Sequence, residues 1–178
     1  ISDYEDQMKE YKLIIGGERV AGSGGTYEVI NPATEEVVGE APEASSADAH
    51  AAAQAARDAA PAWRRTSPEN RANLLMALAV EIKKRSDDLL PLIMAETGAT
   101  LKVGTALQIP QAVSRFERYA RGALLDISIP LPPSIMPTTP LAAGGVIGGV
   151  GLRQPVGVVA CISPYNFPLV NMAGKVGP

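Results

Sequence analysis

Few side chains in this 178-residue chain are equipped for covalent chemistry. Cys161 is its single thiol, and it falls inside the apolar run Val156-Gly157-Val158-Val159-Ala160-Cys161-Ile162. A thiol among apolar neighbours has a raised pKa and little thiolate, so Cys161 reads as a small buried core residue and not as a nucleophile. His50, the only imidazole, sits in an alanine-rich stretch near Gln54 and Arg57, the pattern of a solvated helix face. The glycine run Gly144 to Gly151 reads GGVIGGVG, which lacks the G-x-G-x-x-G spacing of a dinucleotide fingerprint. Gly174-Lys175 resembles the end of a phosphate loop, but Val176 stands where Ser or Thr is required and Leu169 where the first glycine belongs. What remains is Ser163-Pro164-Tyr165-Asn166-Phe167-Pro168, between the apolar run and a helical pattern. The carboxyl end of a buried strand is where open α/β sheets bind ligands. There, Asn166 can cap the helix with its side-chain oxygen and aim its amide N–H groups at a site of developing negative charge, as an oxyanion donor does. An N-cap with no further role is the alternative.

Composition narrows the classes of function. Sixteen basic against nineteen acidic residues give a net charge of −3, so no strong basic field points to nucleic acid or an anionic membrane. Hydrophobic residues make up 46%, which suffices for a packed core and excludes wholesale disorder. One cysteine forms no internal disulfide, and one cysteine with one histidine forms no zinc site. The low-polarity run Leu141 to Leu152 is too short and too rich in glycine to span a bilayer. No basic region followed by an apolar one opens the chain, and the expectation is a soluble cytoplasmic protein.

The elements that must position Asn166 are legible in outline. Residues 1–10 are polar and read as a frayed or tag-derived end. Lys12 to Ile15 and Glu18 to Val20 flank Gly16-Gly17, a two-residue hairpin turn. Tyr27 to Ile30 and Glu36 to Val38 flank Asn31-Pro32-Ala33-Thr34, a second turn. From Ser45 the period becomes helical, with Ser45 and Asp48 forming a capping box and Pro61 near the end. Ser67 and Pro68 start a second helix, whose Leu74, Leu75, Leu78, Ala79 and Ile82 share one stripe. Ser86 is expected to cap a third, with Leu89, Leu90, Ile93 and Met94 inward, Pro91 as a weak point and Gly98 as the stop. A fourth helical stretch, about 101–125, is expected to break near Pro110, with Val113, Phe116, Tyr119 and Ala120 on its core face. Five prolines between Pro130 and Pro140 and the following glycines then predict an extended arm or connector. Val156 to Ile162 reads as a strand buried on both faces, and Phe167 onward as a helix. A buried parallel strand needs neighbours, so the chain reads as a fragment or as a sheet completed by another chain.

Gln154-Pro155-Val156-Gly157-Val158-Val159, Ile162-Ser163-Pro164-Tyr165-Asn166-Phe167-Pro168-Leu169 and Gly174-Lys175-Val176-Gly177-Pro178 closely resemble the aldehyde dehydrogenase superfamily. Ile30-Asn31-Pro32-Ala33-Thr34-Glu35, the Trp63 region and Glu96-Thr97-Gly98 extend the resemblance over nearly the whole chain, as the amino-terminal third of such an enzyme. It implies an α/β fold: N-terminal β-hairpins and helices leading into a truncated Rossmann-like parallel sheet, with an extended oligomerisation arm. The implied domains are 1–126 (the N-terminal part of the cofactor-binding domain), 127–153 (the Pro/Gly-rich oligomerisation arm or connector) and 154–178 (the first strand, turn and helix of an incomplete sheet). The implied activity is NAD- or NADP-dependent oxidation of an aldehyde to an acid, through a thiohemiacetal on a cysteine outside this chain. The general-base glutamate also lies outside it, so the piece alone is expected to be inactive.

By the same resemblance, Asn166 is the oxyanion donor, and Ile162, Ser163, Pro164, Tyr165 and Asn166 line the cofactor cleft. Tyr165 stands where tryptophan is common. Lys175 matches a lysine with an electrostatic or proton-relay role, although nine residues place it across the helix from Asn166. Phe167, Val170, Asn171 and Gly174 match the substrate tunnel, and the missing side chain at Gly174 implies a wide one that admits bulky or aromatic aldehydes. The implied partners are a small-molecule aldehyde and further copies of the complete chain, as a homodimer or homotetramer. A CoA-acylating semialdehyde dehydrogenase and a truncated, non-catalytic assembly module are the alternatives.

Overall fold

The computed structural model describes residues 11–178, and the polar stretch 1–10 lies outside the described residues. The chain divides into two units, one of residues up to 124 together with 157–178, the other of residues 125–156.

Turn chemistry organises the start of the first unit. Strands β1 (Leu13–Ile15) and β2 (Glu18–Val20) pair antiparallel around Gly16-Gly17. Both glycines take positive φ, 62° and 87°, as a primed hairpin turn demands. Strands β3 (Thr26–Ile30) and β4 (Val37–Pro42) form a second antiparallel pair. Their connection is an Asx turn: the Asn31 side-chain oxygen accepts from the Ala33 N–H at 2.9 Å.

Helices supply the core. In α1 (Ser46–Arg64) the capping box of Ser45 and Asp48 forms as expected, and Pro61 is carried inside the helix. Helix α2 (Pro68–Lys84) starts at Ser67, whose hydroxyl accepts from the Asn70 N–H at 3.2 Å. In α3 (Ser86–Thr97) the expectation fails by one position. Ser86 is the first helical residue, and its hydroxyl donates to the Lys83 carbonyl at 2.6 Å instead of capping. Pro91 is accommodated within α3, and the helix ends at Gly98 with φ 66°.

The expected break near Pro110 is a change of winding. Helix α4 (Leu101–Val103) runs through a π-helical turn at Gly104–Gln108 into α5 (Ile109–Gly122). Pro110 has no N–H for the Ala106 carbonyl and its ring crowds that group. The turn ahead of it is widened, and the Ile109 N–H reaches back five residues to the Gly104 carbonyl. Gly104 is buried against Leu90 of α3.

Ala79 and Ile82 of α2, Ile93 of α3, and Ile109, Ala112 and Phe116 of α5 make one apolar cluster. Ala173 completes it from α6 (Pro168–Val176). Alanine at three of these seven positions lets the helix backbones approach closely. Leu74 and Leu78, expected inward with Ala79 and Ile82, are instead 55% and 40% exposed. The α2 stripe is narrower than its leucines suggest.

In the second unit, β5 (Ile129–Met136) and β6 (Gly145–Gly151) form an antiparallel hairpin. The proline-rich segment is thus a paired ribbon, with β6 drawn from the GGVIGGVG run. The pairing register slips between Leu131 and Ser134, where Pro132 and Pro133 offer no N–H to the ladder.

Val156 to Ile162 departs most from expectation. It has no ladder partner among the described residues, and Val156 and Ile162 are 91% and 83% exposed. Every sheet among the described residues is a two-stranded antiparallel pair. An apolar run reports that burial is favourable; the parallel neighbours that would bury it are a separate requirement. Among the described residues no helix is long and apolar enough to cross a membrane, and no group of three His, Cys, Asp or Glu could hold a metal ion.

Candidate functional site

The residues singled out in 162–175 lie on a short exposed segment, a turn, and α6. Asn166 sits in the turn just before the helix. It is not the cap: Phe167 holds that position, with φ −136°, ψ 66° and no side-chain hydrogen bond. The Asn166 side chain is exposed and makes no hydrogen bond among the described residues. Its carboxamide is therefore not consumed by the helix end, which removes the N-cap alternative.

Around it, Ile162, Pro164 and Tyr165 are exposed, Tyr165 to 90%. Ser163 differs: its hydroxyl oxygen is buried and has no partner. A buried hydroxyl left unpaired costs roughly 1–3 kcal/mol, so a polar ligand atom or water at this point would be favoured. Cys161, expected to be buried, is exposed, and its thiol donates to the Lys175 carbonyl at 3.4 Å. Like its neighbours, it has no strand paired beside it among the described residues. Lys175 is itself exposed. His50 is exposed too, with Nδ1 2.6 Å from the Ser46 carbonyl, a local contact on a solvated helix face.

Phe167, Val170, Asn171 and Gly174 recur at the spacing that shares one helix face. Val170 is buried at 7% exposure, and the other three are half-buried. This face does not present the open space expected from Gly174. The guanidinium of Arg115, on α5, lies where a Gly174 side chain would be and donates from Nη1 to the Val170 carbonyl at 2.8 Å. One turn on, the Tyr119 hydroxyl reaches the Gly174 carbonyl at 3.5 Å. The room vacated at residue 174 is filled from across the helix pair, and the wide tunnel inferred from sequence is corrected on that account. Sequence reading missed Arg115 because its partners are 55 residues away. The available signal was a glycine on the inward stripe of α6, which asks what large group lies opposite.

The opposite face of α6 borders a groove of about 370 Å³, lined in part by Leu169, Met172, Ala173 and Val176 with Leu78 and Phe116. A second groove of about 470 Å³ lies between α3 and α5. Asn166 lines neither.

A sequence model of the aldehyde dehydrogenase family matches residues 20–178, and the chain belongs to that family. Among curated relatives, it is 37% identical over 168 residues to a mitochondrial aldehyde dehydrogenase of Leishmania tarentolae, covering 94% of this chain and 32% of the relative. It is 35% identical over 173 residues to 2-hydroxymuconic semialdehyde dehydrogenase of a Pseudomonas species, covering 96% and 34%. Among solved structures, an aldehyde dehydrogenase variant from Bacillus cereus superposes with a TM-score of 0.85 at 31% identity, over 99% of this chain and 35% of that one. The chain thus spans about a third of the length of the relatives it matches.

Proposed function

We propose that this chain supplies the amino-terminal portion of an NAD- or NADP-dependent aldehyde dehydrogenase that oxidises an aldehyde to a carboxylic acid. The observation that carries this reading is the exposed Asn166 carboxamide, without a hydrogen bond among the described residues and within the motif that carries the resemblance. Donors that need no reorganisation stabilise developing oxyanions best, and Asn166 has no competing bond among the described residues to break. Several relatives are named for semialdehydes, including glutarate-semialdehyde and 2-aminomuconic 6-semialdehyde dehydrogenases.

In this reading, Ile162, Ser163, Pro164 and Tyr165 hold the nicotinamide end of the cofactor, with the Ser163 hydroxyl supplying a polar contact. The cofactor, when bound, accepts the hydride. Asn166 donates to the substrate oxygen as negative charge gathers on it. Phe167, Val170, Asn171 and Gly174 shape the approach of the aldehyde, and Lys175 adds positive charge nearby. The attacking cysteine and the base that activates water come from outside these 178 residues. Residues 127–153 act as an assembly arm between copies of the complete enzyme, which works in the cytoplasm.

Asn166→Ala in the complete enzyme tests the reading. Turnover of pentanal, followed as NADH or NADPH formation, should fall by roughly 10²–10³. Cofactor affinity, measured by fluorescence titration, should change little. Full turnover by the variant would remove Asn166 from the chemistry. The isolated 178-residue chain should form no NADH from aldehyde.

A further inference from the structure

Arg115 is a half-buried cation with no carboxylate beside it among the described residues. It is half-buried on α5, and its guanidinium crosses the inward face of α6 at Gly174. Of its five N–H donors, one is used, on the Val170 carbonyl. Among the described residues no carboxylate pairs with it. The guanidinium fork is built to hold a carboxylate through two parallel bonds. A tie between two helices requires only the single bond seen here; glycine at 174 is what gives the planar group its room.

Resting on the reading of 167–174 as a substrate wall, we infer that the aldehyde taken by the complete enzyme carries a carboxylate at its far end, and that Arg115 binds it. Val170 and Gly174 lie four and eight residues beyond Asn166. With two non-helical residues before Pro168 and the helical rise beyond it, this sets Arg115 on the order of 10 Å along the chain direction from the oxyanion donor. That span suits a short ω-carboxylated aldehyde and leaves acetaldehyde unable to touch both groups. Charge argues for a carboxylate over a phosphate. One guanidinium balances the single negative charge of a carboxylate, whereas a phosphate dianion calls for more than one cation.

The test is the ratio of kcat/KM for glutaric semialdehyde to that for pentanal, which share chain length and differ in the terminal charge. In the complete enzyme the ratio should exceed ten. Arg115→Met should lower it by about ten- to a hundredfold, the range expected for a lost charge-assisted hydrogen bond. Arg115→Lys, which keeps the charge and loses the fork, should fall between. A residue that only ties helices would depress both substrates together and leave the ratio fixed, and that result overturns the inference. So does a wild-type ratio near one, while pentanal turnover keeps the aldehyde dehydrogenase reading intact. Absence of turnover with either aldehyde would take both down. Should the variants fail to fold, inhibition of wild-type pentanal oxidation decides the matter. Glutarate should compete at least tenfold more strongly than pentanoate, and equal inhibition overturns the assignment.

Discussion

Asp48 collects more hydrogen bonds than any other carboxylate among the described residues. Its Oδ2 accepts from the Ser23 hydroxyl at 2.7 Å, the Ser45 N–H at 2.8 Å and the Ser23 N–H at 2.9 Å. The Ser23 hydroxyl, followed by the backbone N–H groups of Ser45 and Ser23, holds its pKa down to about 2 from an ordinary 3.8. A carboxyl whose pKa is lowered by folding stabilises the fold above its unfolded value, and that contribution is lost as pH falls through the folded one. Asp48→Asn should therefore lower the melting temperature at pH 7, with the difference from the parent chain shrinking between about pH 4 and pH 2. Ser45→Ala removes the cap itself and should cost about 1 kcal/mol in urea unfolding at neutral pH. The Ser45–Asp48 half of this site was legible as a local spacing; Ser23 was not, because it arrives from 25 residues away on the loop after β2. Asn166 and Arg115 divide in the same way. A motif revealed the first, and only the packing of α5 on α6 reveals the second.

Elements whose ends are fixed by local chemistry formed where their sequences said they would. The Gly16-Gly17 hairpin, the Asn31 turn, and the starts of α1 and α2 all follow from side chains bonding to nearby backbone or from glycine's freedom at positive φ. Elements that depend on distant partners were misread. Leu74 and Leu78 satisfy a helical stripe yet stay largely exposed, and Val156 to Ile162 has strand composition without strand neighbours among the described residues. Gly98 joins the two kinds of determinant. It ends α3 at φ +66°, and a side-chain carbon placed there would approach Pro32 Cγ to 2.8 Å in the β3–β4 turn. Gly98→Ala should destabilise the chain by about 1–2 kcal/mol from the left-handed backbone alone, read by urea unfolding. A smaller loss would mean that the turn at Pro32 moves aside and the helix end relaxes.

On the scale of the whole molecule, the two units differ in what holds them. The first has the apolar cluster shared by α2, α3, α5 and α6; the second is a two-stranded ribbon in which every residue of β5 is exposed. A lone hairpin is marginal in water. Hydrogen exchange should accordingly find the amides of Ile129–Met136 and Gly145–Gly151 little protected, and those around Ala112 and Phe116 the slowest in the chain. Protection of the ribbon equal to that of α5 would contradict this ranking. The pairing of β5 with β6 was hidden in the sequence by its prolines and glycines, which mark where ladders fail and say nothing of where they hold. The bond from Arg115 to Val170 also bears on how the molecule is made. Its two ends are separated by 55 residues, so at ribosomal speed the Arg115 segment leaves the ribosome roughly 3–11 s ahead of the Val170 segment. For that interval Phe116 and Ala112 have only α2 and α3 to lean on. The nascent chain meets chaperones and proteases with this face bare, and the rate of elongation through the ribbon sets how long it stays so.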